Sequence, residues 1–194
     1  MRGLRGLGSI SKEKINMAFN INEMRSQLTF GGARQNLFQV RINNPANGAG
    51  DLKTPFMVQA AQLPASDLGI IPVFYFGRQL KLAGDRTFQE WTVTIINDED
   101  FLIRNAMEEW SNSINRLQRN VRDISSYKTQ GEVIQYAKDG TPIRTYEFHG
   151  IFPSNISPIE LDWATTDQIE LFQVTFQYDY WVVGDSATGR AGGE

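Results

Sequence analysis

The residues able to carry catalysis or bind a metal are few in this 194-residue chain. It has no cysteine and one histidine, His149. Thiolate zinc sites, iron–sulfur clusters, disulfides and cysteine nucleophiles are therefore excluded. A multi-histidine metal site is excluded too, and any serine–histidine–aspartate scheme would have to use this one residue. His149 lies between Phe148 and Gly150 in a predicted strand, which favours a structural histidine over a catalytic one.

The acidic and glycine-rich segments do not match catalytic patterns either. Residues 98–100 are Asp-Glu-Asp, but they lack the spacing of a calcium loop, and helix capping explains them. Asp162 and Asp179 could form a glycosidase-like pair, yet nothing in the sequence brings them together. Residues 48–54 resemble a phosphate-binding loop, but they lack the consecutive Gly-Lys-Ser/Thr residues that such a loop requires. The sequence thus predicts no enzyme, no cofactor and no metal.

The remaining patterns are mostly those of strands. Hydrophobic residues are 41% and charged residues 21% of the chain, as in one globular domain. Alternation predicts strands at 36–43, 56–63, 70–82, 91–97 and 159–163. Two more, at 133–138 and 143–152, flank Asp139-Gly140, a hairpin signal.

The last predicted strand, 168–183, is unusually long. Phe172, Val174, Phe176, Tyr178 and Tyr180 alternate with polar residues along it. At ~3.3 Å per residue it would span ~50 Å, beyond the usual strand length. We expect it either to bend across two sheets or to extend beyond its own domain.

One helix is predicted at about 98–118. Asn97 or Asp98 can cap it, and an apolar stripe runs from Ile103 through Trp110 to Leu117 at helical spacing. The predicted fold is mainly β: a two-sheet antiparallel sandwich or barrel with this one packed helix.

The N-terminal segment, residues 1–34, differs from the rest in charge. It carries +4, whereas the remainder carries −7. We read it as a basic arm, helical at about 10–28, that is either solvated or docked on an acidic surface. A β-domain at 35–183 and a flexible polar tail at 184–194 follow. No apolar run reaches the roughly 20 residues of a membrane span, and we expect no signal peptide. The candidate docking residues of the arm are Arg2, Arg5, Lys12, Lys14 and Arg25.

Residues 83–99 carry the most distinctive pattern. The string AGDRTF, followed by WTVT and by NDE, resembles the tail tube proteins of contractile-tailed phages, which are related to type VI secretion tube proteins. Segments 36–40, 150–155, 161–163 and 169–181 resemble further family segments in order, so the likeness spans about residues 34–182. The motif and subunit-interface candidates are Gly84, Asp85, Arg86, Phe88, Trp91, Asp162, Trp163, Tyr180 and Trp181.

The resemblance implies a structural virion protein. Its subunits would close into hexameric rings that stack into a tube, within a contractile sheath and between baseplate and tail terminator proteins. Genomic DNA would pass through the lumen without sequence-specific binding, and assembly would take place in the host cytoplasm. There would be no membrane anchor.

A polar strand face is the candidate lumen wall. Gln173, Thr175, Gln177 and Asp179 carry no positive charge, so such a wall would not grip DNA phosphates. The alternative is that this face packs under the helix.

Rival functions remain open at this level. The chain could be the tube, or the tube-initiating ring, of a phage-like bacterial contractile injection system. From another class, it could be a monomeric β-sandwich binding module.

Overall fold

The structure is a computed structural model that describes residues 21–116 and 127–184. The chain divides into two compact units, residues 1–33 and residues 34–194. In the first unit, helix α1 (Ile21–Gln27) precedes a 3-10 turn at Thr29–Gly31, and neither contains a buried residue. The predicted arm helix therefore includes a helical stretch at its C-terminal end, and residues 10–20 lie outside the described part.

In the second unit, two antiparallel sheets share one strand, and a two-stranded hairpin forms a further sheet. One sheet has the order β1 (Phe38–Ile42), β6 (Thr129–Tyr136), β7 (Pro142–Ile156) and β9 (Tyr180–Val183). The other has the order β2 (Val58–Ala61), β5 (Trp91–Ile96), β8 (Leu171–Gln177) and then β7 again. Because β7 is 15 residues long, its first part lies in one sheet and its last part in the other.

The predicted long strand at 168–183 bends across the two sheets. It divides into β8 and β9 at residues 178–179, and each piece pairs with a different part of β7. Phe172, Val174, Phe176 and Tyr178 are buried as predicted. Tyr180 is 48% exposed, contrary to the prediction, because the bend changes the face that it occupies.

The core lies between the two sheets and is rich in aromatic rings. Trp91 stacks on Phe148 with ring centroids 4.4 Å apart, and it also contacts Phe176. Trp110 contacts Phe176 from the helix side at 6.2 Å. These side chains are at most 2% exposed, and burying each stabilises the fold by roughly 1.5–3 kcal/mol. The predicted mainly β sandwich with one packed helix is confirmed.

Helix α3 (Leu102–Ile114) is shorter than predicted. Phe101 adopts a left-handed conformation (φ 51°), so the helix cannot begin at residue 98. Neither Asn97 nor Asp98 caps it; instead the Asp100 Oδ1 accepts a hydrogen bond from the Leu102 N–H. At its other end Asn115 is extended, so the prediction that the helix continues to 118 is wrong.

Three strand predictions also need correction. Residues 54–57 form a short helix, α2 (Thr54–Met57), so β2 begins only at Val58. Residues 159–163 form no strand and belong to a long loop. Residues 70–82 are part of a two-stranded hairpin, β3 (Ser66–Tyr75) and β4 (Arg78–Phe88), which forms a sheet of its own. Pro72 lies within β3 opposite Lys81.

Candidate functional site

In the described residues, no other element covers the two strands of the hairpin β3–β4. Every residue from Asp67 to Tyr75 is exposed, as are all those from Arg78 to Ala83. A two-stranded hairpin is marginally stable alone in water and normally packs against something. We therefore treat it as a candidate contact surface.

Both faces of the hairpin carry apolar side chains. Alternation places Ile71 opposite Leu82 and Val73 opposite Leu80 on one face. The turn adds Phe76, which is 90% exposed and has a positive φ of 44°. Large exposed apolar patches on a soluble protein mark interaction sites. The exposed large apolar side chains of the hairpin are Leu68, Ile70, Ile71, Val73, Phe74, Tyr75, Phe76, Leu80 and Leu82.

Four of the predicted motif residues, Gly84, Asp85, Arg86 and Phe88, lie at the base of this hairpin. Gly84 lies against Gly69 at a bulge, where a Cβ would come within 3.1 Å of the Gly69 carbonyl group. Phe88 packs on the core and contacts Tyr178, with ring centroids 6.0 Å apart. Asp85 and Arg86 are exposed on β4. Residues 84–88 of the motif string thus connect the hairpin to the rest of the second unit.

Two tryptophans hold the segment that leads into the hairpin. The Trp91 indole N–H donates to the Gln62 carbonyl oxygen at 2.8 Å, and the Trp181 indole N–H donates to the Ala65 carbonyl oxygen at 3.3 Å. At the start of β3, the Gln89 side chain donates to Asp67 at 2.6 Å. These contacts fix the direction in which the hairpin leaves the sandwich.

A second exposed surface is the loop at residues 157–170, which we call the acidic loop. Its base is held by a reciprocal pair of hydrogen bonds between Ser157 and Gln173, both 2.8 Å long. Asp162 accepts hydrogen bonds from the Ala164 N–H and the Thr165 hydroxyl and so shapes the turn. Trp163 is fully exposed at 102%. Asp162 and Trp163 therefore belong to this loop, whereas the other motif residues lie on strands β4, β5 and β9.

Three of the four predicted lumen residues, Gln173, Thr175 and Gln177, lie on the outer face of β5 and β8, which we call the polar face. Gln173 pairs across from Thr94, and Thr175 from Thr92. The Gln177 side chain donates to Glu90 at 3.2 Å. Neither strand contains a basic residue.

Helix α3 does not cover the polar face. Its buried residues, including Met107 and Trp110, join the core cluster with Phe172 and Phe176. The Arg104 guanidinium lies 5.4 Å from the centre of the Phe172 ring. The helix therefore packs against the apolar side of β8, and the alternative that the polar face lies under it is wrong.

Asp179 belongs to the bend beyond the polar face. Both of its carboxylate oxygens accept hydrogen bonds from Lys128, at 2.7 and 2.8 Å. This contact raises the pKa of Lys128 above its ordinary value. Next to it, the His149 ring stacks on Tyr180 with centroids 4.7 Å apart. His149 thus has a packing role, and Asp162 and Asp179 serve two separate structural elements.

An ion-pair cluster precedes helix α3. Lys53 Nζ donates to Asp98 at 2.7 Å and to Asp100 at 2.5 Å. Hydrogen bonding to Lys53 lowers the pKa of both carboxyl groups, and the same bonds raise the pKa of Lys53. The two acids share a single cation. Within residues 21–116 and 127–184 no group of three or more potential ligands is placed to hold a metal ion.

The remaining predicted residues belong to the arm. Arg25 is exposed on α1. The other four arm candidates, Arg2, Arg5, Lys12 and Lys14, lie outside the described residues. No helix in the described part is long and apolar enough to cross a membrane.

Sequence reasoning missed the hairpin as a separate sheet. Its turn is Phe76-Gly77, without the Asn-Gly or Asp-Gly that usually marks a tight hairpin. The residue in the sequence that could have indicated this turn is Gly77, which has a φ of 78° and no atom within 4 Å of where a Cβ would be.

The comparisons with known proteins match this architecture. A family model described as phage tail tube protein matches residues 18–184. The chain belongs to the phage tail tube family. It is 38% identical over 153 residues to the tail tube protein gp19 of Enterobacteria phage T4, which covers 77% of this chain and 90% of that protein.

Solved structures show the same fold at lower identity. The tube-terminating cap of the anti-feeding prophage superposes with a TM-score of 0.60 at 18% identity, over 93% of this chain and all of that one. A chain of the sheath-tube complex of an extracellular contractile injection system gives 0.53 at 15% identity, over 86% of this chain and 99% of that one. This member of the tail tube family is a structural component of the virion. Its family membership confirms the prediction that it is not an enzyme.

Proposed function

We propose that this chain is the repeating subunit of a phage tail tube. Copies close into hexameric rings, the rings stack, and the polar face lines a lumen through which genomic DNA passes. The observation that carries the proposal is the hairpin, which exposes apolar side chains on both faces in a chain of the tail tube family.

The sheet edges support self-assembly. Strands β1 and β2 end the strand path of the sandwich in the described residues. A cavity of about 330 Å³ lies between these two edges, and it is lined by Phe38, Ala61, Leu63 and Val133 together with the polar residues Gln35 and Gln135. Free sheet edges are prone to pair with other chains. In a closed ring, a neighbouring subunit covers these edges and this cavity.

The chemistry of the polar face supports passage of DNA. Threonine and glutamine dominate it, and Glu90 adds a negative charge. DNA affinity rises with each phosphate that a lysine or arginine neutralises. A wall without cations lets the duplex slide past it.

The partners follow from the family. The solved relatives include a tube-terminating cap and a sheath-tube complex. By analogy, this tube is surrounded by a contractile sheath and joins a baseplate and a terminator. The basic arm, residues 1–34, would dock on the acidic body of a copy in the next ring, because its +4 charge opposes the −7 of the remainder.

Negative-stain electron microscopy of the concentrated full-length protein tests the proposal. Six-fold rings or hollow tubes are the expected result. A stable monomer that persists when neighbouring tail proteins are added would instead support a monomeric binding module. The same microscopy on the chain without residues 1–30 tests the arm, since tubes of normal length from that variant would remove it from assembly.

A further inference from the structure

We propose that the hairpin of one copy docks on the acidic loop of a second copy. The contact involves residues 70–83, which we call the distal hairpin, and residues 157–170 of the neighbour. The inference rests on the proposed function, because it requires that copies assemble. It goes beyond the proposed function by specifying which two surfaces of neighbouring copies are in contact.

Both surfaces expose apolar side chains that nothing in the described protomer covers. In the distal hairpin, Phe74 and Phe76 are 73% and 90% exposed. In the acidic loop, Leu161 and Trp163 are 79% and 102% exposed. Aromatic rings of this kind bury about 150–250 Å² each at an interface, so Phe74, Phe76 and Trp163 would supply much of the apolar contact area.

The charges of the two surfaces are opposite. Between residues 70 and 83 the only charged side chains are Arg78 and Lys81, both positive. Neither has an acidic partner within 4.0 Å in the described residues. The acidic loop contains no basic residue, and its charged side chains are Glu160, Asp162, Asp167 and Glu170. Such complementarity steers encounter and selects the partner surface.

Another acidic surface, at the start of α3, is a weaker acceptor for the hairpin. Asp98 and Asp100 are already paired with Lys53. An incoming cation would have to compete with that lysine. In the acidic loop no carboxylate has a cation within ion-pair distance among the described residues, so its charges are available.

Both surfaces are held in place before they meet. Trp91 and Trp181 fix the segment that enters the hairpin, and the Ser157–Gln173 bonds fix the base of the loop. Preorganised surfaces lose less entropy on binding. Because the contact joins two different surfaces, repeating it in one direction from copy to copy generates a ring or a stack.

Cross-linking tests the contact directly, because the chain has no cysteine. We would introduce Gln79→Cys on the hairpin and Ala164→Cys on the loop, which leaves Phe76 and Trp163 intact, and treat assembled full-length protein with a short bismaleimide. The expected result is a ladder of covalent oligomers. The control pairs Gln79→Cys with Glu99→Cys at the start of α3. A ladder from the control pair and none from the first pair would overturn the inference.

Charge reversal provides a second measurement. Lys81→Glu is expected to raise the protein concentration needed for assembly by about tenfold, since a like charge now faces the loop. Adding Glu160→Lys should recover most of that loss, whereas adding Glu99→Lys, with the same change in net charge, should not. Equal recovery by both would show that only net charge matters and would refute the pairing.

Assembly of the wild-type protein distinguishes a failure of the proposed function from a failure of the hairpin–loop contact alone. Protein that never forms rings or tubes, alone or with its tail partners, contradicts the proposed function and this contact together. Protein that assembles without the 79–164 cross-link contradicts the contact alone.

Discussion

At the residue scale, the bend between β8 and β9 depends on Gly150. Its φ is +70°, and a Cβ there would collide with the Asp179 carboxylate. We predict that Gly150→Ala lowers the free energy of unfolding by about 3 kcal/mol, from the backbone strain and the displaced carboxylate together. Urea denaturation of the unassembled protein measures it.

Gly140 is the matched control for that substitution. It also has a positive φ, +85°, but no atom lies within 4 Å of its missing Cβ. Gly140→Ala should therefore show only the backbone cost, about 1 kcal/mol. Equal losses at both positions would mean that the Asp179 contact has no role in the bend.

A second residue-scale prediction concerns Lys53 and its two carboxylates. The pKa values of Asp98 and Asp100 are lowered from 3.8 by hydrogen bonds from Lys53. Their stabilising contribution is therefore present above that value and is lost as the pH falls through the lowered pKa values. Lys53→Met should reduce the melting temperature slightly at pH 7 and less at pH 3. A difference from wild type that stays constant over this range would contradict the role of the cluster.

At the scale of elements, the loop after β1 is attached to α3 through Asn44. This residue is 7% exposed. Its amide donates to the Ala106 carbonyl oxygen at 2.8 Å, and its side-chain oxygen accepts from the Ala46 and Asn47 N–H groups. We predict that Asn44→Ala costs about 2 kcal/mol, because three groups lose a partner. Chemical denaturation gives the value, and exposed Asn43→Ala should stay within about 0.5 kcal/mol of wild type.

The elements differ in how far the sequence predicts them. Local alternation predicts β5 and β8 well, because each has one buried face. The sequence predicts the start of α3 at residue 98, four residues before the observed start at Leu102. Asp98 and Asp100 are residues that suit a helix N-terminus, but in the structure both are paired with Lys53. The hairpin could not be recognised from periodicity, because both of its faces are apolar and exposed and so give no inside–outside pattern.

At the scale of the whole molecule, the candidate surfaces were harder to predict than the fold. The polar face was predicted from alternation alone, and the structure removes its main alternative by placing Trp110 on the opposite side of β8. The motif string at 83–99 indicated the family, yet it did not show that residues 84–88 would lie at the base of an exposed hairpin. That placement depends on tertiary packing, which no local pattern encodes.

The lumen assignment yields the last prediction. Gln173 is exposed on β8 across from Thr94. Repeated around every ring, Gln173→Lys would line the tube with cations that hold DNA phosphates. DNA ejection should slow while tubes remain normal in microscopy, and added salt should restore much of the rate because it screens these contacts. Gln173→Glu, of equal size and opposite charge, should eject as wild type does. Slowing by both variants would point to a packing defect, and slowing by neither would place this face outside the lumen.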